Sequence, residues 1–406
     1  MKFNKWTLSL AALGAVSMAS AVRADEAQTQ LSPVNTALSS TTLSGYVDVA
    51  AQYNMGNYGP GAGVPAGTYG KNVDNFSLNN VDIALDKPQD ESPWASGYHI
   101  DINAGQEAVG VGLNGGFGSQ PSDAAGTASV ALRQAYVVIR TPIGNGIDWK
   151  VGVQDDIIGY ESNTDGANPN YTRSIGYYLE PTTLLGMIGT YKVSDEVSIS
   201  GGIADAISPI VGYTSSDKSF AGAITFTAPD SFGFAKGATL SLGSVMNIDS
   251  GGQDNYYAGL TLPTPMSTLK VGAAFDLISV NNKDMSVPST NPNNDSGWVA
   301  GLYGVLQPTD KLSFNLRGEY FDLTGAVNPY TTPTSTPTLD IPNGLGEEVT
   351  ATVQYNLWAN VISRLEFRWD HIDSGAAFAN PSVGEFGTSY PNGDSFLLAA
   401  NLIYQF

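Results

Sequence analysis

The chain contains no cysteine, which excludes disulfides, thiolate metal sites and cysteine nucleophiles. It has only two histidines, His99 and His371, and no His-x-x-x-His or P-loop spacing. Basic residues are scarce: 18 Lys and Arg stand against 38 Asp and Glu, a formal net charge of −20. Binding to nucleic acid depends on Lys and Arg neutralising phosphates, so this balance excludes a nucleic-acid partner. Long apolar runs are missing as well. The one candidate is residues 6–21, which follow Lys2 and Lys5 and precede Val22-Arg23-Ala24. That order of positive start, short apolar core and small residues predicts a secretory signal peptide over 1–24. Residues 25–42 are polar and read as a periplasmic leader. Beyond them no stretch reaches the roughly 20 apolar residues of a spanning helix. If the exported protein lies in a membrane, it must cross as a closed barrel.

What is present points the same way. There are 46 Gly, 22 Pro and 20 Tyr, with short apolar runs broken by turn residues, the composition of an all-β protein. Residues 395–406 alternate with a period of two: Phe396, Leu398, Ala400, Leu402, Tyr404 and Phe406 share one face. The same alternation recurs along 43–53, 76–87, 94–104, 147–155 and 361–370. In 129–140 the faces cannot be assigned, because Arg133 and Gln134 are adjacent. Runs at 183–193, 196–206, 219–228, 238–245, 255–262, 269–277, 297–307, 311–323 and 347–357 complete the series. The sum is about sixteen strands of roughly ten residues, the count and length of a transmembrane antiparallel β-barrel over 43–406.

The connections alternate strictly between short and long. The long ones are 54–75, 105–128, 156–182, 207–218, 246–254, 278–296, 324–346 and 371–394. Barrels of the outer membrane show short periplasmic turns and long extracellular loops. Charge decides which face is which. In 361–370, Leu365, Phe367 and Trp369 oppose Arg364, Glu366, Arg368 and Asp370. An Arg at the lipid midplane costs about 2–4 kcal/mol, so the charged row faces the lumen. The same logic places Arg317, Glu319, Asp82, Asp101 and Lys150 on the pore lining. A barrel of this size leaves an aqueous channel. Trp94, Trp149, Trp298, Trp358 and Trp369 stand near strand ends, where aromatic girdles belong.

Several stretches resemble a known family: 76–88 (FSLNNVDIALDKP), 134–136 (QAY), 144–152 (GNGIDWKVG), 168–174 (NPNYTRS), 180–183 (EPTT), 227–231 (TAPDS) and 357–371 (LWANVISRLEFRWDH). Together they resemble the β-barrel porin-2, OmpL-like outer-membrane proteins, and the terminal Phe406 resembles the C-terminal signal of Gram-negative outer-membrane proteins. The resemblance covers 43–406. It implies a general porin in the outer membrane of a Gram-negative bacterium, among lipid and lipopolysaccharide, passing small hydrophilic solutes by diffusion. It brings no catalytic residue and no cofactor. Sixteen-stranded porins also imply a homotrimer and a third loop folded into the lumen. Here that loop is 156–182. Its Asp156, Glu161, Asp165, Arg173 and Glu180 would form a constriction facing Arg317, Arg364 and Arg368 across a transverse field.

Enzymatic readings are weaker. His99 shares a face with Asp101, but adjacency alone does not make a Ser–His–Asp triad, and a lumen-facing histidine beside a carboxylate is the simpler reading. Residues 110–115 match a dinucleotide glycine fingerprint without the helix it needs. Asp249, Asp254, Asn291, Asn294 and Asp295 offer oxygen ligands but complete no calcium pattern, so no metal site is assigned. Net acidity predicts a weak cation preference. The alternative function is a structural or adhesive barrel that works through its extracellular loops.

Overall fold

In the computed structural model the described residues are 41–55, 75–110, 129–205, 218–248, 252–281, 295–323, 343–376 and 394–406. The signal peptide and all of the leader but Thr41 and Thr42 fall outside them. At position 42 a strand has already begun. Sixteen strands follow in order: β1 (Thr42–Asn54), β2 (Asn75–Lys87), β3 (Ser96–Gly105), β4 (Ser129–Thr141), β5 (Ile147–Asp155), β6 (Thr183–Lys192), β7 (Val197–Asp205) and β8 (Lys218–Thr227); then β9 (Thr239–Asn247), β10 (Gly252–Pro263), β11 (Leu269–Asn281), β12 (Asp295–Leu306), β13 (Leu312–Asp322), β14 (Asn343–Trp358), β15 (Val361–Ala376) and β16 (Asp394–Gln405).

Each strand pairs antiparallel with its neighbours in sequence, and β16 returns to pair with β1, so the sheet closes without a free edge. Phe406 and Gly45 exchange both backbone hydrogen bonds at the seam, at 3.0 and 3.1 Å. No helix among the described residues is long and apolar enough to cross a membrane.

Alternation sorts the side chains as the sequence pattern predicts. On β15, Arg364, Glu366, Arg368 and Asp370 are buried inside, while Leu365 and Phe367 are exposed on the outer face. On β16, Leu397, Ala399, Asn401 and Ile403 are inside and Leu398, Leu402, Tyr404 and Phe406 outside. The ambiguous strand resolves through a β-bulge. Asp101 pairs with Gln134 and Ile102 with Leu132, which leaves Arg133 as the extra residue. The bulge lets two neighbouring residues, Arg133 and Gln134, both be buried on the inside. A matching irregularity between β1 and β2 brings Asn79 and Asn80 inside together.

Several strands run past the expected bounds, β11 to Asn281 and β14 and β15 furthest. β14 and β15 run to sixteen residues each, longer than the 347–357 and 361–370 read from periodicity. His371, expected where a strand gives way to a loop, therefore lies within β15, with its Nδ1 2.8 Å from Asp394 of β16. Apolar alternation marks only the part of a strand with a greasy face, and these two strands continue past it. The tryptophans divide between the ends. Trp94 and Trp358 are exposed at the short turns, and Trp149 donates to Thr141 nearby at 3.1 Å. Trp298 and Trp369 lie towards the long-loop end, Trp298 stacked on Phe275.

Candidate functional site: an interior loop packed across the bore

The third long connection leaves β5, crosses the interior and returns to β6. Its sequence explains its shape. Asn168 accepts from the Ser162 N–H at 2.8 Å and donates to the carbonyls of Ser162 and Thr164, closing 162–168 into a compact turn. The chain then bends through 168–172, with Pro169 among them, and its backbone groups bond the wall rather than each other. Ser174 caps a single helical turn, α2 (Ile175–Leu179; α1 is Glu107–Gly110), by accepting from the Tyr177 N–H at 3.0 Å.

The wall of β13, β14 and β15 is matched to that backbone. Glu366 accepts from the Tyr171 N–H at 2.5 Å, the Thr172 N–H at 2.9 Å and the Thr172 hydroxyl at 2.7 Å. Glu319 accepts from the N–H groups of Ile175 and Gly176, at 2.7 and 3.1 Å, and so caps α2 from outside the loop. The arginines take the carbonyls. Arg317 donates to Thr172 at 2.7 Å, Arg364 to Asn168 at 2.5 Å and Arg368 to Arg173 at 2.8 Å. Asn315 and Asn255 do the same for Pro169 and Leu179, both at 2.6 Å.

Charge pairs lock the arrangement. Arg317, fully buried, bridges Glu161 of the loop at 2.9 Å and Glu348 of the wall at 3.1 Å. Arg368 pairs with Asp370 at 2.6 Å. Arg173 pairs with Asp165 of its own loop at 2.9 Å and with Glu107 at 3.4 Å. The remaining expected lining residues also lie inside. Asp101 pairs with Arg133, Asp82 is buried beside them, and Lys150 sits over the Tyr136 ring at 4.7 Å.

The opposite wall is different, and its character was missed from sequence. Many inward residues of β6 to β12 are small or apolar: Leu184, Ile188, Ala204, Ala221, Val245, Tyr257, Ala274, Tyr303 and Val305 form one cluster with Ile158 of the loop. Ile157 and Tyr160 pack against it, Tyr160 stacked on Tyr303 at 4.1 Å. Tyr160 lies so closely over Gly272 that a side chain there would displace its ring. Ile175 and Leu179 fill a second cluster with Ile278, Val299 and Phe321. A run such as Thr183-Leu184-Leu185 is apolar on both faces, and that doubling was the available signal.

The loop therefore touches wall all round. At its level the inward residues are buried, and the space between its two arms is a cavity of about 40 Å³ lined by Asp155, Asp156, Glu161, Asn163, Tyr177 and Glu180, among others. The expectation of an aqueous interior is corrected at this level, where the loop packs like a protein core. Towards the short turns, Thr190, Ser241, Thr261 and Lys270 face inwards and are partly exposed. The expected transverse field is corrected too. Loop acids and wall arginines do not face each other across open space: Glu161 touches Arg317, whereas Arg364 and Arg368 bind loop carbonyls. Asp156 is capped by the Ile157 N–H at 2.6 Å. Glu180 meets not an arginine but Asp276 of β11, carboxyl to carboxyl. Burial, and then the carboxyls of Asp276, Asp156 and Glu161, push Glu180 well above the usual carboxylate range. Burial raises Asp156 likewise.

No group of His, Asp and Glu among the described residues is arranged to hold a metal. Of the possible calcium ligands, Asp254 accepts from the Asn247 N–H at 2.9 Å, and Asp249, Asn291 and Asn294 fall outside the described residues, as does 111–115 of the glycine fingerprint.

A model of the family described as "Putative beta-barrel porin-2, OmpL-like" matches residues 40–406. The chain belongs to this porin family. No curated protein sequence matches it. Among solved structures, the barrel is similar to OmpT of Vibrio cholerae, with a TM-score of 0.56 at 10% identity over 93% of this chain and 100% of that one. It is similar to the outer membrane channel DcaP of Acinetobacter baumannii, with a TM-score of 0.56 at 11% identity over 93% and 100%. An anion-selective porin from Comamonas acidovorans gives a TM-score of 0.56 at 10% identity over 90% and 99%. The porin thus shares its closed barrel with outer-membrane proteins of Gram-negative bacteria while sharing little of their sequence.

Proposed function

We propose that this porin passes small hydrophilic solutes and ions across the outer membrane by passive diffusion, with residues 156–182 as the constriction. The observation that carries this reading is the loop's complete wall of contacts at one level of the interior, below which inward polar residues are partly exposed. Asp156, Glu161, Asp165, Arg173 and Glu180 set the constriction. Asp82, Asp101, Lys150, Arg317, Glu319, Arg364, Glu366, Arg368 and Asp370 line the wall that carries it. The reading is non-catalytic, and export through the 1–24 signal brings the chain to the outer membrane. Trimerisation follows the analogy of OmpT, which occurs in a trimer form.

The acid excess supports a cation preference, since carboxyls outnumber arginines and lysines inside as they do in the whole chain. In a planar bilayer with a KCl gradient, the reversal potential is expected to carry the sign of K⁺ selectivity; an anion-selective sign contradicts it. The dense packing around the loop favours a second reading, a structural or adhesive barrel closed by its own loop. The same bilayer separates the two, because a structural barrel gives no conductance at any voltage or pH.

A further inference from the structure

The ionic contacts of the loop are almost all complementary. One is not. Glu180, at the end of the returning arm, lies against Asp276 of β11, and both are nearly buried, at 6% and 5% exposure. Two carboxylates repel and neither can donate, so their contact is favourable only with a proton held between them. The Glu180 carboxyl fills the space over Gly159, where no side chain fits, and Asp276 Oδ2 lies 2.7 Å from where a Cβ on Gly176 would sit. The pair therefore ties both arms of the loop and α2 to β11 at one point. Asp276 Oδ1 has no hydrogen-bond partner.

Nothing nearby supplies a compensating charge. The first arm contributes Asp156 and Glu161, β13 contributes Glu319, β12 and β10 contribute the phenols of Tyr303 and Tyr257, and Asn255 is occupied by the Leu179 carbonyl. Arg317 of β13 is spent on Glu161 and Glu348. Among the described residues no Lys, Arg or His forms an ion pair with either carboxyl.

We propose that Glu180 and Asp276 are a proton-held latch: sharing a proton they pin the returning arm to β11, and losing it they repel, free the arm and open the bore. The inference rests on the reading of 156–182 as the constriction. The direction follows from the burial of the acids. The closed state favours the protonated form, so closure is fully present below the ordinary carboxylate range and is lost as pH rises above it. The open fraction therefore rises by about tenfold per pH unit while one proton is being released.

The test is single-channel conductance from acid to alkaline pH of the native porin, Glu180→Gln, Asp276→Asn and a deletion of 166–171, each first shown to be β-structured by circular dichroism. The native porin is expected to open as pH rises. Glu180→Gln and Asp276→Asn, whose carboxamides donate without a titratable proton, should stay at the native acid-pH level throughout. A flat native profile, or a native-like profile in both variants, overturns the latch. If the deletion widens the pore while the native profile is flat, the latch alone fails. If the deletion leaves conductance unchanged, the constriction reading fails and takes the latch with it.

Discussion

Arg317→Ala is expected to cost about 3–5 kcal/mol of barrel stability, the usual penalty for breaking a buried ion pair from one side. Arg317 is fully buried and bonds Glu161, Glu348, Thr172 and Thr350, so one side chain joins loop to wall through six hydrogen bonds. Alanine leaves Glu161 without its cation, Glu348 with only Arg368 at 3.7 Å, and the Thr172 carbonyl without a donor. The loop should lift from β13 and β14. Urea unfolding of the refolded barrel reads the first consequence, and a rise in conductance at acid pH reads the second. Adding Glu161→Gln to Arg317→Ala should recover part of the loss, because it removes the charge stranded on the loop. No recovery in the double variant, or a single-variant cost under about 1 kcal/mol, the size of an exposed pair, would place Arg317 outside the anchor.

Glu366→Gln is the second large effect. The substitution keeps volume and removes one acceptor oxygen. In the native porin Oε2 takes the Tyr171 N–H and the Thr352 hydroxyl, and Oε1 takes both Thr172 donors. Whichever oxygen becomes the amide nitrogen, a backbone N–H, of Tyr171 or of Thr172, then faces a donor, while the threonine hydroxyl beside it can turn to accept. Each stranded buried donor costs about 1–3 kcal/mol. The expected outcome is destabilisation of about 1–3 kcal/mol, with a stretch centred on 170–172 released first. Hydrogen exchange at the Tyr171 and Thr172 amides measures it. Those amides should exchange faster in the variant while β15 stays protected; unchanged exchange would mean that Glu366 does not hold the loop.

The barrel was legible in the sequence because strand period, lipid-facing apolar rows and the short–long alternation of connections all report the same closed sheet. Leu365 against Arg364 was enough to orient β15. Adjacent inward residues were harder. Arg133 and Gln134 break the period, and only pairing with β3 reveals the bulge that accommodates both. The loop's acids and arginines were legible as candidates, but not their partners. Arg364 and Arg368 spend themselves on backbone carbonyls, which carry no sequence signal. Glu180 meets Asp276 across about a hundred residues of chain, in a pairing of like acids that charge complementarity would never nominate. The apolar wall of β6 to β12 was missed because the period separates two faces without saying which one meets water. There both faces are greasy, one for lipid and one for Ile157, Ile158 and Tyr160.

The central claim is that 156–182 crosses the bore and sets its width. Removing 166–171 takes out the turn between Asn168 and Tyr171 and with it the contacts to Arg364, Glu366 and Asn315. Recorded in one planar bilayer at acid pH, single channels of the shortened porin should conduct several-fold more current than native ones. Equal currents from the two proteins would mean that the loop does not govern passage.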